Sequence, residues 1–103
     1  MNSIAEKLIG RWHIDKEDRN ALKQMGNVTV VFDSDKLMRY ITFEKGSIQI
    51  TSLEYRIEKD VIISSISPGS TEEHTKFNFD NDNTIILESD GLKSKFIRDI
   101  LQS

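Results

Sequence analysis

From Asn27 to about residue 98, apolar side chains recur at every second position. This is the period of a β-strand, in which successive side chains face opposite sides of a sheet. The alternation is interrupted by short segments of Asp, Asn, Gly, Ser and Lys, most of which accept tight or left-handed turns. The pattern predicts strands over residues 28–33, 36–43, 47–57, 61–66, 72–79, 84–89 and 92–98.

The predicted turns are short enough to join neighbouring strands as hairpins. With Arg11–Ile14 as a first strand, the chain contains about eight consecutive strands. Such an arrangement predicts an all-β fold, an antiparallel up-and-down barrel or strongly curled sheet. The turns lie at residues 33–36, 44–46, 59–60, 67–70, 80–83 and 89–91.

A short N-terminal helix is predicted to precede the first strand. Ser3 and Glu6 match a capping box, in which each side chain accepts a hydrogen bond from a free backbone amide of the other residue. Gly10 can end the helix because glycine accepts a left-handed conformation. We therefore expect one or two helical turns over residues 3–9.

A second short helix is predicted in the polar loop after the first strand. Asp18 is a candidate N-cap and Gly26 a candidate stop. Between them, Leu22 and Met25 lie at helical spacing. These two side chains either cover the open end of a barrel as a lid or simply cover an edge of the core.

Alternation also predicts which side chains face the barrel interior. In the predicted strand 47–57, Ile48 and Ile50 stand at even positions, whereas the later apolar residues Leu53, Tyr55 and Ile57 stand at odd positions. A β-bulge near Thr51 and Ser52 is therefore expected, so that both sets can face inward. Tyr40, next to Arg39, is predicted to face outward. The predicted inner set is Val28, Val30, Phe32, Leu37, Arg39, Ile41, Phe43, Ile48, Ile50, Leu53, Tyr55, Ile57, Thr75, Phe77, Phe79, Ile85, Leu87, Ser94, Phe96 and Arg98.

Composition limits the classes of protein and partner. The 103 residues suit a single domain over residues 1–103. A net charge of −3 disfavours nucleic acid as a partner, and the absence of cysteine excludes disulfides and thiolate metal sites. No apolar segment has the length of a membrane span or signal core, so we expect a cytoplasmic protein without a membrane partner.

Catalytic and metal-binding patterns are missing from the sequence. His13 and His74 are the only histidines, and their parity places both on the outer face. The acidic run 80–84 resembles the start of a calcium loop, but Ile85 and Gly91 stand where such a loop needs Gly and Glu. We therefore expect no enzymatic activity, no catalytic residues, no metal and no cofactor.

Gly10 and Trp12 at the start of the first strand, with Arg98 at the end of the last, resemble the lipocalin or calycin superfamily. In that superfamily the arginine packs across the tryptophan at the closed end of the barrel. Segments spread over the chain, among them 26–29 and 87–96, are similar to small bacterial lipocalin-like domains. The resemblance implies a lipocalin-like barrel with Gly10, Trp12 and Arg98 as a structural base, and it implies no particular ligand.

Two functions are consistent with such a barrel. In the first, the lumen binds a small apolar molecule, which would contact Phe32, Tyr55, Phe77 and Phe96 and present a polar or anionic group to Arg39. In the second, the barrel is filled by side chains and its outer strands or rim bind a protein, as an inhibitor or immunity-type module does. An eight-stranded barrel can be filled or hold one small ligand, so the pattern leaves both open.

Overall fold

A computed structural model describes residues 4–33, 36–66 and 69–99, without the side chains of residues 4 and 5. The predicted cap Ser3 and the turn residues Ser34, Asp35, Ser67 and Pro68 lie outside this set. The elements are α1 (Ile4–Leu8), β1 (Gly10–Ile14), α2 (Arg19–Met25), β2 (Asn27–Phe32), β3 (Leu37–Glu44), β4 (Ser47–Glu58), β5 (Val61–Ser65), β6 (Glu73–Asn81), β7 (Thr84–Ser89) and β8 (Leu92–Arg98).

The strands form a closed, antiparallel up-and-down barrel in the order of the sequence, as predicted. Each strand pairs with the next, and β1 pairs with β8, where Trp12 lies opposite Arg98 and Ile14 opposite Phe96. Closure leaves two different ends. One carries α1 and the β2–β3, β4–β5 and β6–β7 turns, and the other carries α2 and the remaining connections.

The α1 end of the barrel is sealed around Trp12. Its indole is fully buried, donates a hydrogen bond to the Leu8 carbonyl at 2.9 Å, and lies under the Arg98 guanidinium with 4.2 Å between the guanidinium carbon and the ring centroid. Arg98 also donates to the carbonyls of Lys7, Ile9 and Asp82. A helix ends with free carbonyl groups, and these contacts satisfy the carbonyls at the end of α1.

The prediction of which β3 side chains face the barrel interior is wrong by one residue. Phe32 points inward and its direct partner in the ladder is Met38, so Met38 and Tyr40 face the interior. Arg39 and Ile41 therefore face outward, as do Leu37 and Phe43. The β2–β3 register decides this, because directly opposed residues share a face of the sheet.

The β-bulge expected in β4 is also wrong. The β3–β4 ladder runs without interruption from Leu37 opposite Glu54 to Glu44 opposite Ser47. The register that places Leu53 inward consequently places Ile48 and Ile50 outward, where they are 61% and 59% exposed. Together with Phe43, these two residues give the β3–β4 hairpin an exposed apolar outer face.

The late strands follow the predicted alternation. Phe77 lies opposite Leu87, Ile85 opposite Phe96, and Leu87 opposite Ser94. They complete an interior whose buried apolar cluster comprises Leu8, Trp12, Ile14, Ala21, Val28, Val30, Phe32, Met38, Tyr55, Ile62, Phe77, Ile85 and Phe96.

The Gly10→Ala substitution is expected to destabilise the protein by about 2–3 kcal/mol, because the residue has a φ of +136° and an added Cβ would lie 3.0 Å from Nη1 of Arg98. Gly46→Ala is the matched control. Gly46 has a φ of +80° with no atom within 4 Å of the added Cβ, so only the conformational cost of about 1 kcal/mol remains. Urea unfolding measures both, and equal losses would contradict the described packing of Arg98 against Gly10.

Candidate functional site: the barrel cavity

A cavity of about 940 Å³ occupies the barrel on the side of α2. All strands except β1 contribute to its wall, and its lining is mainly apolar with several hydroxyl groups. The lining residues are Met25, Val30, Phe32, Met38, Tyr40, Thr51, Leu53, Ile62, Ser64, Ser65, Ile66, Ser70, Thr71, Glu73, Thr75, Leu87, Ser89, Asp90, Leu92, Ser94 and Phe96. The volume lies at the upper end of the range typical of small-molecule pockets, roughly 300–1,000 Å³.

Aromatic rings fill the other half of the barrel. Trp12 lies 6.2 Å from Phe79, and Phe79 lies 6.0 Å from Phe77, between ring centroids. Tyr55 stands edge-on to Phe32 at 5.3 Å. These contacts form a floor under the cavity, so the space opens only toward the α2 end.

The α2 helix lies at this end and contributes Met25 to the cavity wall, while Leu22 packs against the core. Asp18 fixes the position of the helix. One carboxylate oxygen accepts from the Ala21 amide at 3.2 Å, as an N-cap does, and the other accepts from the Lys95 amide on β8 at 3.0 Å. The predicted cap and stop are therefore present as expected, and Leu22 and Met25 both pack against the core.

The structure divides the predicted lumen residues into three groups. Phe32 and Phe96 line the cavity. Tyr55 and Phe77 are buried but belong to the floor, nearer the sealed end. Arg39 lies outside the barrel, where its guanidinium forms an ion pair with Asp33 at 3.2 Å, so it is not available to a ligand in the lumen.

A polar site on the cavity wall was missed by the sequence analysis. It consists of the Tyr40 phenol from β3, the Ser64 hydroxyl from β5 and the Glu73 carboxylate from β6. Ser64 and Glu73 are direct partners in the β5–β6 ladder. Burial raises the pKa of Tyr40, and the negative charge of Glu73 raises this pKa further. Extending the predicted alternation of β6 by one step toward its start would have identified Glu73.

The orientation of Glu73 follows from its neighbour. Glu72 lies on the outside of the barrel, where the Arg56 guanidinium donates to it at 2.9 Å and to Glu58 at 2.9 Å. The hydrogen bond from Arg56 lowers the pKa of Glu72. With Glu72 held outside, the next residue in an extended strand faces the interior.

Over 4–33, 36–66 and 69–99, no three His, Asp or Glu side chains come together as a metal site, and no helix is long and apolar enough to span a membrane. Both histidines lie on the outer face as predicted. His13 contacts Asp99 rather than solvent alone, and His74 lies 4.0 Å from Glu72.

Comparison of the chain with protein-family models, curated proteins and solved structures finds no significant match to any of them. The functional interpretation therefore depends on the cavity and its lining residues.

Removing the cap of α2 should loosen the cavity cover. Asp18→Ala deletes two hydrogen bonds to backbone amides and should cost about 2 kcal/mol of unfolding free energy. Asp18→Asn keeps one side-chain oxygen and should cost less than half as much. Urea unfolding gives the free energies, and amide hydrogen exchange locates the loss in α2. An alanine variant as stable as the wild type would contradict this role of Asp18.

The pKa of the Tyr40 phenol tests whether the negative charge of Glu73 acts on it. In a Tyr55→Phe background Tyr40 is the only tyrosine. Its pKa, followed by ultraviolet absorbance, should lie above that of free tyrosine, because both burial and the nearby carboxylate disfavour phenolate. Glu73→Gln should lower this pKa, since it removes a negative charge. Glu54→Gln, on the outer face of β4, should leave it unchanged. A Tyr40 pKa insensitive to Glu73→Gln would contradict the described site.

Proposed function

We propose that the protein binds a small, largely apolar molecule inside the barrel. The observation that supports this most strongly is the cavity of about 940 Å³, which is large enough for a ligand and lined mainly by apolar side chains. A few hydroxyls and carboxylates interrupt the apolar wall. Ligand pockets commonly combine a large apolar surface with a few polar groups that orient the ligand.

The alternative, a protein-binding module, assumed a barrel filled with side chains. A cavity of this volume disfavours that assumption. Aromatic rings fill the half of the barrel around Trp12, whereas Ser64, Thr75 and Ser94 are among the residues that line the space toward α2. We therefore prefer ligand binding, and the exposed outer face of the β3–β4 hairpin would be the surface to test if no ligand binds.

We also propose that the chain is a small member of the lipocalin or calycin superfamily. The support comes from the barrel architecture together with the stacking of Arg98 on Trp12 at the sealed end. Gly10 adds to it, because its position directly beside the arginine explains why glycine opens β1.

A variant that fills the cavity tests the proposed function. Thr75→Phe adds an aromatic ring inside the lumen and should weaken binding of the neutral fluorophore N-phenylnaphthylamine by about tenfold or more. His74→Phe introduces the same side chain at the adjacent, outward position and should bind as the wild type does. Fluorescence titration measures the affinities, and thermal unfolding confirms that both variants are folded.

Saturable, one-to-one binding by the wild type that is lost in Thr75→Phe would support the lumen as the site. Absence of saturable binding to the wild type, or equal binding by both variants, would overturn the proposal.

A further inference from the structure

The charged groups of the cavity wall all have one sign. Among the residues that line it, Glu73 and Asp90 are carboxylates, and none is Lys, Arg or His. Arg98 stacks on Trp12 at the sealed end, and Arg39 forms an ion pair with Asp33 outside the barrel. A ligand in the lumen therefore meets negative charge without a compensating cation.

The Glu73 carboxylate is not neutralised by its neighbours. Within the described part of the chain it forms no ion pair or hydrogen bond with another side chain, whereas the adjacent Glu72 is bound by Arg56. Glu73 is exposed at the mouth of the cavity. Its carboxylate is thus an unpaired acceptor at the edge of an apolar space.

Two hydroxyl groups extend this site into the cavity. Ser64 is only 7% exposed and lines the cavity, and no other described group forms a hydrogen bond with its hydroxyl. No side-chain polar atom of the described residues is both buried and without a partner, so the Ser64 hydroxyl is open to the cavity and available to a polar group of a ligand. Tyr40 contributes a second hydroxyl to the same cavity wall, and the negative charge of Glu73 helps to raise the pKa of this phenol.

We propose that the cavity selects amphiphilic molecules whose polar end is a primary ammonium group, with Glu73 as the counter-ion and the Tyr40 and Ser64 hydroxyls as further acceptors. This inference rests on the proposed binding function and adds the class of ligand. An ammonium group has three donors and no acceptor, which matches a site of one carboxylate and two hydroxyl oxygens. The opposite expectation, an anionic group held by Arg39, does not fit a lumen wall without cations.

Ligands that share one alkyl chain and differ only in the polar end provide the test. Decylamine, decanol and decanoate are each used to displace N-phenylnaphthylamine from the wild-type protein at neutral pH, below their micelle-forming concentrations. We expect decylamine to bind most tightly and decanoate most weakly, with about a tenfold difference between them, because one charge is attracted by Glu73 and Asp90 and the other repelled.

Glu73→Gln tests the assigned counter-ion. It should reduce the preference for decylamine over decanoate to about threefold or less while leaving decanol binding unchanged, because only the charged ligands depend on the carboxylate. Glu54→Gln makes the same chemical change on the outer face of β4 and should keep the full preference. Equal preferences in both variants would overturn the role of Glu73.

The wild-type protein alone gives a second test that needs no variant. Raising the salt concentration from about 20 to about 300 mM should weaken decylamine binding and strengthen decanoate binding, since screening reduces both attraction and repulsion. Decanoate binding as tightly as decylamine, or a salt dependence of the opposite sign, would overturn the ammonium site and leave the binding function intact. Failure of all three ligands to displace the fluorophore would overturn the binding function itself.

Discussion

Stacking of the Arg98 guanidinium on the Trp12 indole joins the first and last strands at the seam where the barrel closes. Trp12 lies at the start of β1 and Arg98 at the end of β8, so their contact lies across the seam that closes the barrel. The same guanidinium binds carbonyls at the end of α1 and in the β6–β7 turn. Cation–π contacts contribute about 0.5–2 kcal/mol, and here hydrogen bonds to three carbonyls are added.

Sealing one end with large rings determines where the barrel can remain open. Trp12, Phe77 and Phe79 occupy the half near α1, and smaller residues such as Ser64 and Ser94 face the half near α2. An unfilled apolar space costs stability, because its lining loses packing contacts. Such a space is what the proposed binding of a ligand in the barrel requires.

Fixing Arg98 at the base also determines the charge of the lumen. Its guanidinium lies over the Trp12 ring and donates to backbone carbonyls, and the carboxylates of Glu73 and Asp90 at the other end have no cation beside them on the cavity wall. The sealed end and the proposed ligand site therefore use separate residues. The polar site can be altered at Glu73 without disturbing the sealed end.

Strand order and the barrel were predictable from the sequence, because period-two alternation and turn residues are local signals. The base formed by Gly10, Trp12 and Arg98 was expected from the resemblance to the lipocalin superfamily. The facing of β3 was not predictable in either way. Ile41 and Phe43 are apolar, so alternation alone assigned them to the barrel interior, whereas the register of the β2–β3 ladder places Met38 and Tyr40 there.

The prediction for β4 was wrong for a similar reason, because it placed exposed apolar residues in the barrel interior. Ile48 and Ile50 look like core residues, and a bulge was invoked to bring them inside. The cavity itself could not be predicted, since its volume depends on how far side chains from opposite walls reach across the lumen. Neither strand pattern nor composition contains that distance.

Mapping the bound ligand by amide chemical-shift changes tests the central claim most directly. In a titration of the labelled protein with decylamine, the largest changes should fall on cavity residues such as Tyr40, Ser64, Glu73 and Thr75. Signals from Gly10, the Trp12 indole and Arg98 at the sealed end should remain nearly unchanged. Changes centred on the sealed end or on the outer face of the β3–β4 hairpin would contradict the account.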